Sequence, residues 1–171
     1  VGKLRVAKSP WVNHSWHVPF YLTARGLTTS VIHDMDRSFC VEFNFIAHRL
    51  VIRCSDGGAR SFPFQSETVA AFHKRCFSAL DELGIEARIS EKPNELADAI
   101  PLSLDDTHQG YDRDFANRFW HILLEADRVM KVFRSDFIGK VSPVHFFWGS
   151  ADLAVSRFSG SVPLAASRRL C

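Results

Sequence analysis

The sequence predicts an α+β fold, an antiparallel β-sheet of hairpins covered by two amphipathic helices, and three features carry that expectation. Apolar residues alternate with period two over residues 39–45, 50–54 and 144–155, the pattern of half-buried strands. Two later segments space their apolar residues for helices. Strands and helices follow one another without regular βαβ alternation, which argues against a parallel sheet.

Taken in order, Trp16 to Thr23 predicts a strand that Pro19 makes irregular or an edge, and Leu27 to Ile32 predicts another. Phe39, Val41, Phe43 and Phe45 then alternate with Cys40, Glu42 and Asn44, and Leu50, Ile52 and Cys54 with Val51 and Arg53. A tight turn at Ala47-His48 would pair Phe45 with Leu50, Phe43 with Ile52 and Val41 with Cys54, with Glu42 meeting Arg53 behind them. That arrangement sends Cys40 and Cys54 to opposite faces and predicts no disulfide between them. Asp56-Gly57-Gly58 suits a three-residue loop with Gly in the left-handed position, returning Phe62 and Phe64 against Ile52 and Leu50.

Ser66 caps a predicted helix with Val69, Phe72, Cys76, Leu80 and Leu83 on one side and Gly84 as its stop. Residues 85–89 suggest a short strand, followed by a long polar connection. A second helix is expected from Asp112 to Phe137, with Phe115, Phe119, Ile122, Ala126, Val129 and Phe133 as its apolar stripe. The last hairpin turns at Gly149-Ser150, which suits a type II′ turn and sets Phe146 opposite Leu153 and Val144 opposite Val155.

Length and composition narrow the function classes. The 171 residues, 46% of them hydrophobic, suffice for one cored domain, expected over residues 1–160 with 161–171 as a disordered tail. Aromatic content leans on Phe, 15 against 2 Tyr and 4 Trp, which points to a large apolar core or a buried partner surface. A net charge of +2 is too small to suggest nucleic acid as a partner. No apolar run approaches the roughly 20 residues that span a bilayer, and no signal peptide opens the chain, so a soluble, cytoplasmic protein is expected. The four cysteines form no C-x-x-C pair, and their spacing excludes a zinc ribbon. No G-x-S-x-G, G-x-G-x-x-G or Walker lysine loop occurs, which sets aside hydrolase-elbow, dinucleotide and P-loop chemistry.

The segments Asn13-His-Ser-Trp-His-Val-Pro-Phe-Tyr-Leu-Thr-Ala-Arg-Gly-Leu-Thr-Thr29, Asp106-Thr-His108, Tyr111-Asp112 and the motif from Ser142 to Gly160 together resemble a family of uncharacterised bacterial proteins known only as a domain of unknown function. The resemblance supplies relatives and no activity. It covers most of the chain up to Gly160, where relatives look substantially longer. On that comparison the ending is expected to be a truncation or altered tail, leaving the sheet edge at 151–159 uncovered and prone to dimerise or aggregate.

Candidate chemistry lies in three segments. His14 and His17 form H-x-x-H, which chelates metal from one helix face but splits to opposite faces of a strand. Asp105-Asp106-Thr-His108 sits in a polar loop, where a carboxylate near an imidazole can orient it or join it on a metal, or can simply make turns and cap a helix. His145 and Asp152 fall on one face of the last hairpin as a potential acid–base pair, or as a polar contact that fixes the hairpin's register. The leading expectation is a soluble protein, an enzyme or a simple binder, that holds a small molecule or metal between these segments. Catalytic candidates are His145, Asp152 and Asp106. Ligand-binding candidates are Arg25, Tyr21, Trp148 and Arg157, the arginines as clamps for a carboxylate or phosphate. His17, His108 and His145 are the residues that would hold a divalent metal. The alternative is a non-catalytic interaction module whose aromatic hairpins form a dimer or partner interface.

Overall fold

The computed structural model describes residues 1–94 and 96–160, and the tail expected over 161–171 lies outside the described residues. The fold is α+β. Among the described residues, three α-helices, α1 (Gly2–Lys8), α2 (Val69–Asp81) and α3 (Arg113–Ser135), accompany eight strands. These are β1 (Tyr21–Thr23), β2 (Gly26–Thr28), β3 (Ile32–Asp34), β4 (Arg37–Asn44), β5 (Arg49–Cys54), β6 (Ala59–Pro63), β7 (His145–Phe147) and β8 (Asp152–Ala154). Six strands form an antiparallel sheet in the order β1-β2-β4-β5-β6, with β3 also on β4, while β7 and β8 make a separate hairpin.

The strand expected over 27–32 is two strands, because Ser30 takes a left-handed φ of 60° between them. Thr29, fully buried, bridges the break: its Oγ1 accepts from the Val41 N–H at 3.0 Å and donates to the Ser30 carbonyl at 2.8 Å. Only Tyr21–Thr23 of the first expected strand is regular. The stretch before it contains a 3-10 turn, Asn13–Ser15, and Pro19 is fully buried where the backbone is irregular. Helix α1 was not anticipated.

The central meander keeps the expected faces but pairs two residues away from the expected partners. Phe43 faces Leu50, Val41 faces Ile52 and Phe39 faces Cys54. The cause is the turn: Asn44 Oδ1 accepts from the Ile46 and Ala47 N–H groups at 3.1 and 2.8 Å and so begins a four-residue loop, which His48 closes with φ 50°. A shift of two leaves every side chain on its face. Cys40 and Cys54 stand on opposite faces as free thiols, and Arg53 still reaches Glu42, diagonally, at 3.7 Å. β6 is shifted likewise, with Leu50 facing Phe62, and Gly57 supplies the left-handed residue of its loop at φ 91°.

Helix α2 begins at Thr68, whose side chain accepts from the Ala71 N–H, rather than at Ser66, and Gly84 ends its last turn at φ 67°. The expected strand at 85–89 is absent, although Ile85 is fully buried. One core packs Leu4, Ile32, Phe39, Val41, Leu50, Ile52, Cys76, Leu80 and Ile85 between the sheet and helices α1 and α2. A smaller one gathers Phe20, Leu27, Leu123 and Phe146, and Val1, Phe43 and Phe45 border both.

Helix α3 departs furthest from expectation. Its buried residues are Trp120, Leu123 and Asp127, while Phe115, Ile122, Val129 and Phe133 of the expected stripe are exposed. Trp120 Nε1 donates to the Thr23 carbonyl and Asn117 Nδ2 to the Phe45 carbonyl, which fixes the rotation of the helix on the sheet.

Candidate functional site

The segments proposed to share one pocket separate into two places. The N-terminal His-Trp-His segment and the last hairpin do meet: Phe20 and Phe146 exchange backbone hydrogen bonds at 2.8 Å, and Trp16 stands edge-on to His145 at 6.4 Å. The loop 105–108 instead packs on the start of α2, where the Val69 N–H donates to the His108 carbonyl and the Ala70 N–H to the Asp105 carbonyl, each at 3.0 Å.

At the hairpin, Phe146 faces Leu153 as expected, but the turn is not type II′. Ala151, not Gly149, takes the positive φ, at 55°. His145 is 2% exposed and its Nδ1 donates to the Pro143 carbonyl at 2.8 Å, whereas Asp152 is exposed and accepts from the Ser150 hydroxyl. No hydrogen bond or ion pair joins His145 to Asp152, so the expected pair is corrected: the diagonal placement leaves each with a nearer backbone or side-chain partner. Trp148 Nε1 donates to the Val18 carbonyl at 3.0 Å, and its ring packs so tightly on α1 that a Cβ at Gly2 would lie 2.3 Å from it. Arg157 lays its guanidinium 3.5 Å from the centroid of the Phe133 ring. His17 Nδ1 accepts from the Val12 N–H at 3.2 Å, while His14 lies against Trp16 and Phe158. Beside them, His14, Ser15, Val18, Phe147 and Trp148 border an open depression of about 450 Å³.

Among the described residues no group of three or more His, Cys, Asp or Glu side chains is placed to hold a metal ion. The centre expected from His17, His108 and His145 is therefore not assembled, because His108 belongs to the α2 side of the molecule and the other two to the hairpin side.

The loop 105–108 is held by one carboxylate. Asp105 is buried, and its Oδ1 accepts from the N–H groups of Thr107 and His108 and from the Thr107 hydroxyl. Its Oδ2 lies 2.9 Å from His108 Nδ1. The backbone N–H of His108 foremost, with the Thr107 and His108 side chains, holds the Asp105 carboxyl below the usual carboxylate range. His108 Nε2 has no protein partner among the described residues, and its ring is largely exposed. Asp106, the carboxylate singled out from the sequence, instead accepts from the Thr68 hydroxyl at 3.1 Å and steadies the cap of α2.

His108 stands at the edge of a cleft of about 400 Å³, within the usual range for small-molecule sites. Phe43, Phe45, Phe64, Phe72 and Tyr111 line it, with Gln65, Thr68, Val69 and Gln109. Phe64, 7% exposed, is its floor: it stacks on Phe43 at 6.0 Å and packs against Phe45, Phe72 and Tyr111 at 6.3, 6.4 and 5.0 Å. Tyr111 is fixed by a 3.0 Å hydrogen bond to His48 Nδ1. Glu67 at the rim is spent on Arg75, 2.6 Å away, whose guanidinium also covers Phe62 at 4.5 Å. Sequence reasoning found His108 but missed the aromatic wall, since Phe43, Phe45 and Phe64 were assigned to strand pairing and Tyr111 only to a motif. The available signal was an excess of Phe at the two strand ends beside the turn at 45–48.

Fold and site together define an α+β domain with an aromatic cleft bordered by an Asp-oriented histidine. The chain belongs to the family described as a family of unknown function, DUF5996, whose family model matches residues 1–168 and so extends past Gly160. No curated protein matches it, and no solved structure does. No described helix is long and apolar enough to cross a membrane.

Proposed function

We propose that the domain binds a small, flat, largely apolar molecule in the cleft between the Phe43–Phe45 strand end and the 108–111 loop. The carrying observation is the convergence of Phe43, Phe45, Phe64, Phe72 and Tyr111 on one concavity with His108 at its edge. Stacked or tilted rings suit a planar ligand, and the side-chain amides of Gln65 and Gln109 supply donors and acceptors for a polar substituent. Glu67 is neutralised by Arg75, so the ligand expected is uncharged or weakly acidic. His108, with Nδ1 turned to Asp105, offers Nε2 to a ligand group that must be hydrogen-bonded or deprotonated. This replaces the composite metal pocket with an aromatic site beside α2, on the same face of the sheet as the hairpin but apart from it.

The test uses 2-naphthol and indole as probes in saturation-transfer NMR. Both are expected to bind the native chain, and Val69→Phe, which fills the cleft, should abolish the signal while leaving the circular dichroism spectrum intact. Undiminished binding to the filled variant, or none to the native chain at millimolar probe, overturns the reading.

A further inference from the structure

Helix α3 turns its richer apolar stripe outward. Phe115, Phe119, Ile122, Ala126, Val129 and Phe133 alternate spacings of four and three, the rhythm of a coiled-coil seam. Phe119 and Ala126 are half-buried at its inner margin, but Phe115 is 65%, Ile122 66% and Val129 57% exposed, and Val132 and Phe133 extend the patch, Phe133 with one ring face already covered by the Arg157 guanidinium. The face turned inward holds only Trp120 and Leu123 as buried apolar residues. Its charges are settled within the chain: Asp127 pairs with Lys131 at 2.6 Å, and Arg134 Nε donates to the Ser142 carbonyl at 2.8 Å. A seam about 27 Å long, from 18 steps of 1.5 Å between Phe115 and Phe133, is thus presented to solvent. Contiguous apolar patches of that extent mark association surfaces.

We propose that a second copy of this chain lays its own α3 antiparallel along this seam, making α3 a dimerisation helix. The seam is its own complement on reversal. Antiparallel pairing sets Phe115 against Phe133, Phe119 against Val129 and Ile122 against Ala126 of the other copy, with every position apolar. A two-fold interface requires such self-complementarity. The charge beside the seam is settled: Glu125 is paired within its own helix to Arg128 at 3.0 Å, so its carboxylate does not bar the approach of a second copy. The helix dipoles also oppose one another, which favours the antiparallel sense. Closing the seam buries on the order of 1,200 Å², the lower end for a specific interface, so the dimer is expected to be reversible. This surface adjoins the segment after β8 at Phe133 and shares no residue with the aromatic cleft, so it stands or falls independently of ligand binding.

Light scattering of the full chain up to about 200 µM should show a concentration-dependent dimer. Ile122→Glu with Val129→Glu should return it to monomer with its circular dichroism and melting cooperativity preserved, since both positions are exposed. In a Cys40→Ser, Cys171→Ser background, Glu125→Cys should oxidise to a covalent dimer and Phe115→Cys should not. A monomer throughout, a dimer that survives the double glutamate variant, or efficient crosslinking at 115 with none at 125 overturns the proposal.

Discussion

His145 and Asp152 show how two polar residues of one hairpin take on unequal work. The imidazole is 2% exposed and donates to the Pro143 carbonyl, so His145→Ala removes buried volume and strands an acceptor. A loss of about 1–3 kcal/mol is expected in urea denaturation. Asp152→Ala, at an exposed carboxylate, should change stability by less than about 0.5 kcal/mol, and the two effects should add because the residues share no contact. Coupling between them in the double variant would contradict the separation described above. Asp105 is the carboxylate that matters, since its folded form is held below the ordinary value near 3.9. A depressed carboxyl contributes stability that is complete above its unfolded value and disappears as pH falls through its folded one. Denaturation midpoints measured from pH 6 to pH 2 should therefore fall less steeply for Asp105→Asn than for the native chain, and parallel profiles would show that the Asp105 hydrogen bonds are not formed in solution.

Elements record where local chemistry and packing agree. Helix α2 is the clearest case, capped by Thr68 and stopped by Gly84, and Thr68→Ala should cost about 1 kcal/mol because it removes both the cap and the hydroxyl bound to Asp106. No change in midpoint on that substitution would remove Thr68 from the account. The faces of β4 and β5 were legible because period two sorts Phe39, Val41 and Phe43 from Cys40 and Glu42 whatever the register. The register itself was not, because it depends on Asn44 folding its side chain onto two backbone N–H groups, a choice that leaves no mark on hydrophobic periodicity. Helix α3 was legible as a helix and misread in rotation. Counting apolar residues favours the 115–133 stripe, yet the sheet takes Trp120 and Leu123, because the Trp120 indole donates to the Thr23 carbonyl and Leu123 packs with Phe20, Leu27 and Phe146. Of the candidate site, only His108 and its loop could be read, since the aromatic wall comes from β4, β6, α2 and the 108–111 loop, which distance in sequence keeps apart until they fold.

At the scale of the whole molecule, two aromatic centres that the sequence suggested were one lie apart along the same face of the sheet, joined through Phe20 and Phe43, whose rings are 5.7 Å apart. The hairpin centre is bound into the structure by Trp148 and His145, both committed to backbone carbonyls. On the α2 side, the rings around Phe64 leave space, and the histidine at its edge keeps a nitrogen unpaired. The account therefore rests on which centre a ligand chooses. A titration of ¹⁵N-labelled protein with 2-naphthol, followed in amide shift maps, decides it. The amides of Gln65, Val69, Gln109 and Tyr111 should move together and saturate, while Trp16, Phe147 and Ser150 stay fixed. Shifts centred on Trp16, Phe147 and Ser150, or none anywhere at saturating probe, would contradict it.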